Sequence, residues 1–487
     1  MSEVKVNKIS PRTACGTVTL GDSGDTFTIP SGATITNNGT QTGFGREGSV
    51  DWQTGSIKTG TFTAATGEGY FVNTSGGIST VNLPAGAAGS IVAISDYTRT
   101  FNSNNCTVTP NGSEKMGGGD AGGSVTLSVN GQSATFVYVD GTEGWINVQE
   151  TESSQAGPVA LYVTATGGTP CTGAICGNFK THVFTGPGTL TVSCAGNACG
   201  STTVDYLVTA GAGGGGGYGG GGSGAGGFRL SNSVGCIAAP VMSPLASPTG
   251  ITVSATPYPI AVGGGGPGGL NNPTVGPGPA CGVKGTNSSF STITSTGGGF
   301  GTGYQAVGGP GGSGGGSRGG PSPTSGYAGG TATPTTSPAQ GTAGGKGYDG
   351  LTSSTNGGGG GGAAVAGGDA SHGVGGTGGT GSFLGDAFFK TACAPSYGTP
   401  GPVSNTRYFA GGGGGGTDLN PGTAGTGGAG GGGAGAQQTN TPYAVSGTVN
   451  TGGGGGGQGS IIPAPCGGPA GGGVGGSGIV VIRYKFQ

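Results

Sequence analysis

Four of the ten cysteines fall into two C-x4-C pairs, Cys171/Cys176 and Cys194/Cys199. That spacing raises metal binding, cross-linking or free thiols as the available chemistry. Zinc sites usually space a ligand pair more tightly and often recruit histidine, and the chain has only His182 and His372. The four are read as candidate disulfide partners, local or across a hairpin, with free thiols as the alternative. Cys15, Cys106, Cys236, Cys281, Cys393 and Cys466 have no spacing that assigns a partner.

Acid–base chemistry is the next possibility. Cleaving a polysaccharide needs two carboxylates roughly 5–10 Å apart. The last glutamate is Glu152, and the C-terminal region offers only Asp349, Asp369, Asp386 and Asp418. Asp51, Glu68, Asp96 and Asp140 could be paired by folding, but no motif marks them. GDSGDT (21–26) reads as a turn before it reads as a cation site. Matches to G-x-G-x-x-G are inevitable at this glycine content and carry no weight outside a βαβ setting. The chain is therefore read as a non-enzyme with no cofactor and no metal.

Composition narrows the partners. Formal net charge is −2 and charged residues make up 7%, so there is no basic footprint for nucleic acid or anionic lipid. No apolar run reaches the roughly 20 residues needed for membrane insertion as a helix. MSEVKVNKISPRT has no apolar core behind its charges, so a secretory signal is not expected and synthesis in a cytoplasm is.

The positioning elements are short strands. GTVTL (16–20), DTFTIP (25–30) and ATITNNGT (33–40) alternate apolar and polar residues. Residues 46–150 hold GYFVNT, GISTVNLP, GSIVAISD, CTVTPNG, SVTLSVNG, SATFVYVDG and GWINVQ, a pattern that predicts a small β-sandwich or barrel. A polar linker is expected over 151–158 and a further strand domain over 159–208. Residues 1–208 hold 34 of the 129 glycines, and residues 209–487 hold the other 95.

High Pro plus Gly usually means disorder, because ordering glycine costs the most backbone entropy. Hydrogen bonds offset that cost only if nearly every amide finds a partner. Left-handed polyproline-II helices meet the condition. With three residues per turn and no internal hydrogen bonds, they point every N–H and C=O at neighbours. A buried helix must be almost pure glycine, as in Gly213–Gly217, Gly357–Gly362, Gly411–Gly416 and Gly452–Gly457. A peripheral one can carry a side chain every third residue on its outer face, as in Val374/Thr377/Thr380, Pro310/Ser313, Thr426/Ala429 and Val474/Ser477. Apolar strands frame the region, VDYLV (204–208) before it and IVVIRY (479–484) after it, and are expected to pair. The expected fold class is thus all-β: short sandwich- or barrel-like domains, then packed polyglycine helices (209–487) closed by a terminal strand pair.

The opening MSEVKVNKISPRTACGTVTLGDSGDTFTIPSGATITNNGT resembles the N-terminal segment of bacteriophage tail fibres, and VDYLVTAGAGGGGGYGGGGSGAGGF with GGSGIVVIRY resembles the glycine-rich domain at the ends of such fibres. The match covers both termini and, loosely, the glycine region. It is to tail fibres and receptor-binding adhesins of marine phages, of cyanophage or pelagiphage type. The resemblance implies a homotrimeric virion protein assembled in the host cytoplasm. Residues 1–45 would attach to the tail or another fibre protein. A distal region would bind a bacterial surface glycan or outer-membrane protein. A purely structural fibre or decoration protein, and an extracellular adhesive or ice-binding protein, are the alternatives.

Long inserts at 230–262, 383–409 and 437–449 interrupt the glycine pattern and must be loops at rod ends. They collect Tyr258, Phe383, Phe388, Phe389, Lys390, Tyr397, Arg407, Tyr408 and Tyr443. Loops on rigid scaffolds often carry recognition, and Tyr with Arg gives strong contacts. These nine are the candidate receptor contacts; the alternative is that they cover rod ends or a trimer axis.

Overall fold

The computed structural model describes residues 8–13, 16–34, 36, 49–149, 160–234, 237–270, 280–303, 306–319, 326–350, 355–389, 397–438, 443–460 and 471–487. The chain divides into two compact units, Met1–Gly157 and Pro158–Gln487. The fold is all-β, with one helical turn at Asp386–Phe389 among the described residues. The expected linker, 151–158, lies outside the described residues.

In the first unit, successive strands alternate between two sheets. β1 (Asp51–Trp52), β3 (Glu68–Val72) and β5 (Ile91–Asp96) pair in parallel in one sheet. β2 (Thr61–Thr63), β4 (Ser79–Asn82) and β6 (Cys106–Thr109) do the same in the other. The chain thus winds as a flattened coil. β7 (Val125–Leu127), β8 (Ser133–Tyr138) and β9 (Trp145–Asn147) then add antiparallel strands. The two sheets stay separate, so the sandwich alternative holds and the barrel does not. Alternation turns Tyr70, Val72, Val92, Ile94, Val81, Val108 and Phe136 inward onto one core, as a strand's two-residue period requires.

In the second unit, the last strand is central. β25 (Ile479–Lys485) lies between β12 (Phe179–Phe184) and β14 (Thr203–Thr209), antiparallel to both. The predicted terminal pair therefore forms. Leu207, Ile479 and Val481 face one core, and Val204, Tyr206, Val208, Val480 and Ile482 face another. Cover on both faces explains why IVVI is a continuous apolar run. Because β25 also needs β12, residues 159–208 are not a separate domain, and the expected boundary at 208/209 disappears.

Two polar contacts anchor this sheet. Asp205 and Arg483 are cross-strand partners, both buried, with Nη1 and Oδ2 4.0 Å apart. Asp205 also accepts from the Ser231 hydroxyl and the Ser233 and Val234 amides, each at 2.8 Å. The guanidinium stacks 3.7 Å from the Phe179 ring centroid and donates to the Val234 carbonyl at 2.9 Å. Next to them, His182 donates from Nδ1 to the Gly167 carbonyl at 2.7 Å, and its Nε2 accepts from the Tyr484 hydroxyl at 3.0 Å. Burial holds the imidazole below its ordinary pKa, hence neutral, and pushes Tyr484 up to about 12.

The glycine region is a lattice of rods whose hydrogen bonds repeat every three residues. From the rod 219–227, Gly220, Ser223 and Gly226 donate to Gln458, Gly455 and Gly452. Gly221, Gly224 and Gly227 donate to Thr302, Gly299 and Thr296, and Gly222 and Ala225 donate to Gly358 and Gly361. The same rod accepts from Gly213, from Gly413 and Gly416, and from Ser313 and Gly316. It is thus bonded to six neighbouring rods, and a period of three is that of the polyproline-II helix. The four pure glycine runs are interior, as expected. A Cβ at Gly222 would overlap the Gly413 carbonyl, and one at Gly214 the Pro267 carbonyl. Val374, Thr377, Thr426 and Val474 lie on exposed outer faces, but Ser313 is buried and donates from its hydroxyl to the Gly362 carbonyl at 3.1 Å.

Removing one member of a buried ion pair typically costs about 3–5 kcal/mol, so Asp205→Ala should lower unfolding free energy by that order in denaturant titration. Gly222→Ala should cost at least the roughly 1–3 kcal/mol of overpacking, whereas Thr377→Ala should stay within about 0.5 kcal/mol. Equal tolerance at the two positions would contradict the lattice.

Candidate binding surface

Hydrogen-bond direction sorts the rod ends into two sets. The rod 211–217 leaves β14 and runs away from the sheet. A turn at Tyr218 (φ 51°) and Gly219 (φ 65°) reverses it, and rod 219–227 returns to β15 (Phe228–Ser231) beside β14. These define a strand end and a far end. The relative directions of the other rods follow from whether bonded residue numbers rise together or oppositely. Gly266 and Gly269 donate to Ala212 and Gly215, so rod 263–269 runs outward and ends at the far end. By the same test the chain leaves and re-enters the lattice at the far end between Leu270 and Ala280, Gly319 and Gly326, Asp349 and Thr355, Gln438 and Tyr443, and Ser460 and Gly471.

The predicted contact residues mostly lie at the opposite end. Tyr258 is on β18 (Pro257–Ala261), half-buried, with its ring 5.8 Å from Phe290. Phe383, on β23 (Ser382–Gly385), packs on Tyr408 of β24 (Thr406–Phe409) at 5.1 Å. Phe388 and Phe389 are fully buried in the core over Leu207 and Val481, and Tyr397 packs against that core. Tyr408 is buried as well. Arg407 is half-buried, 3.4 Å from Asp386. Lys390 lies outside the described residues. The described parts of inserts 230–262 and 383–409 carry short strands and the helical turn Asp386–Phe389 rather than open loops, and Phe388 and Phe389 cover the apolar sheet. Phe388, Phe389 and Tyr408 therefore have no free face. The reason is physical: glycine rods present little apolar surface to pack on, so the sheet is where aromatic area is buried. The third insert is split, since Val445 and Thr448 donate to Ala434 and Gly431 as part of a rod. Tyr443, 46% exposed, stands at its far-end tip.

The cysteine pairing is also corrected. Cys176 is disulfide-bonded, yet Cys171, Cys194 and Cys199 are free thiols, so neither C-x4-C pair is a cross-link. Cys171 lies in the bulge of β11 (Thr169–Cys176), whereas Cys176 is at that strand's far terminus opposite Phe179. Cys199 sits in a turn whose amides are taken by Asn197. The carboxylates of the first unit are likewise engaged locally. Asp96 accepts the Arg99, Phe101 and Gly131 amides, and Asp140 accepts those of Thr142 and Glu143. Among the described residues, no three His, Cys, Asp or Glu side chains converge as a metal site.

Sequence reasoning missed the centre of the far end. There the tips of five inner rods meet through side chains. Arg318 stacks over Tyr218, 4.9 Å from its centroid, donates to Thr355 Oγ1 at 3.0 Å and lies 3.8 Å from Asp418 Oδ2. The Thr355 hydroxyl donates to Asp418, whose other oxygen accepts the Ser460 amide at 2.9 Å. Burial pushes the Asp418 carboxyl above its ordinary 3.8, against the bonds from Thr355 and the charge of Arg318. Burial does the same at Asp349, again opposed by Arg318. One signal could have found this cluster: Arg318 and Asp418 are two of only ten charged residues in 209–478.

A carboxyl whose folded pKa is raised binds a proton on folding, so the folded state loses stability as pH rises from the ordinary value through the raised one. Wild type should therefore weaken relative to Asp418→Asn as pH climbs from about 4 toward neutrality, read by thermal melting at each pH. A flat difference would mean that Arg318 fully compensates the burial.

Comparison with known families finds one match, a glycine-rich domain spanning residues 184–485, well over half of the chain. No curated protein matches.

Proposed function

The chain belongs to the glycine-rich domain family, and on that premise we propose that it is a receptor-binding fibre protein of a bacteriophage, built to hold chain reversals rigidly against a bacterial surface. The observation that carries this reading is the far end of the lattice. Its inner rod tips are tied by Tyr218, Arg318, Thr355, Asp418 and Ser460, and the chain leaves and re-enters the lattice at the same end at five further places. Loops carried on a rigid scaffold recognise partners at low ordering cost. The N-terminal and frame resemblances to phage fibres support a virion setting. Tyr443, half exposed at its rod tip, suits contact with a surface glycan or the loops of an outer-membrane protein.

The relocation of the aromatic inserts makes the proposal testable. Shortening the reversal between Gln438 and Tyr443, or that between Asp349 and Thr355, to two glycines should reduce binding of the full-length protein to host cells at least about tenfold, or roughly 1.4 kcal/mol. Phe383→Ala with Arg407→Ala, at the strand end, should leave binding unchanged. Host binding that survives loss of every far-end reversal would overturn the far-end reading, and a full-length protein that binds no host cells would move to the purely structural class.

A further inference from the structure

Residues 16–34 form arms outside any strand, with a sequence pattern that is that of a strand with one buried face, yet every one of them is exposed. Val18 and Leu20 alternate in the first arm, and Phe27 and Ile29 in the second. Their exposures are 39, 58, 68 and 39%. The turns between the arms are formed. Gly21 and Gly24 take φ of 76° and 97°, the Asp25 amide donates to the Asp22 carbonyl at 3.0 Å, and the Asp22 amide donates to Asp25 Oδ2 at 2.8 Å. A second turn has the Ala33 amide donating to the Pro30 carbonyl at 3.1 Å. Apart from Gly16 bonding back to Thr13, these are the backbone bonds of the segment. The arms are shaped, and among the described residues their ladder groups have no backbone partner.

A two-residue alternation has no purpose on an arm that is wet on all sides, and an open strand is a template for another chain. We propose that residues 16–34 are an intermolecular strand element, paired in the assembled protein with the same arms of other copies of this chain. Two features favour copies over a foreign partner. Both arms alternate apolar with Thr and end in glycine-containing turns, so symmetric copies set like against like. The only charges between Thr13 and Thr34 are Asp22 and Asp25, both within the first turn. Association therefore stacks no like charges along the arms, and the arms offer no charge complementarity to a different surface.

Sedimentation and hydrogen exchange on the full-length chain test this, with Phe27→Asp/Ile29→Asp as the variant. Wild type should sediment as a multimer, with slowed exchange at the amides of 17–20 and 26–29. The variant should weaken association at least about tenfold, restore free exchange at those amides and leave the melting of both units unchanged. Because Phe27 and Ile29 are exposed, the variant cannot act by unfolding a core. The proposal is overturned by a wild type that is monomeric across a concentration series, by a multimer that survives the double substitution, or by arms that exchange freely within the multimer. Host-cell binding is read separately, so the far-end reading stands or falls independently.

Discussion

A three-residue helix without internal hydrogen bonds can be ordered only by its neighbours, and the whole second unit follows from that requirement. Each interior rod must be surrounded so that donors aimed in three directions, and acceptors in three more, all find partners, as rod 219–227 does. At most positions rods close enough to bond leave no room for a Cβ, hence the glycine at Gly214 and Gly222, and only small side chains such as Ser223 and Ala225 are admitted. The price is a lattice interior with few apolar or charged side chains, so the interior rods build no hydrophobic core of their own. Larger side chains are left the outer faces and the two ends.

The two ends then take different work. At the strand end the sheet has two broad apolar faces, and β25 is held between β12 and β14 by the Asp205–Arg483 contact as well as by its ladder. That contact gives a physical account of the acid in VDYLV and the base in IVVIRY. Burial of one without the other would leave an uncompensated charge. Apolar area needs cover, so Phe388, Phe389 and Phe409 collect there. At the far end the described tips of the inner rods are joined by polar side chains around Arg318.

Much of the fold was legible. Alternating strands, the glycine rods, the outward-facing Val374 and Thr377 and the pairing of the terminal strands all follow from local periodicity, two residues in a strand and three in a rod. What could not be read were facts of direction and adjacency. Nothing in the sequence marks β1, β3 and β5 as parallel, or tells Ser313 from Val374, since a small hydroxyl fits both a crowded interior and an outer face. Phe388, Phe389 and Tyr408 were not recognisable as core residues for the same reason. An insert at a rod end is visible in the sequence, but which end depends on counting reversals through the lattice.

The sequence by itself determined the class of structure, because glycine content, spacing by threes and strand alternation constrain the backbone residue by residue. The tertiary structure decided which side chains are available. Whether Tyr408 or Tyr443 meets solvent depends on rod direction, and rod direction is set by hydrogen bonds between residues far apart in the chain, such as Gly220 with Gln458. Glycine carries no side chain through which such a choice of partner could be written locally.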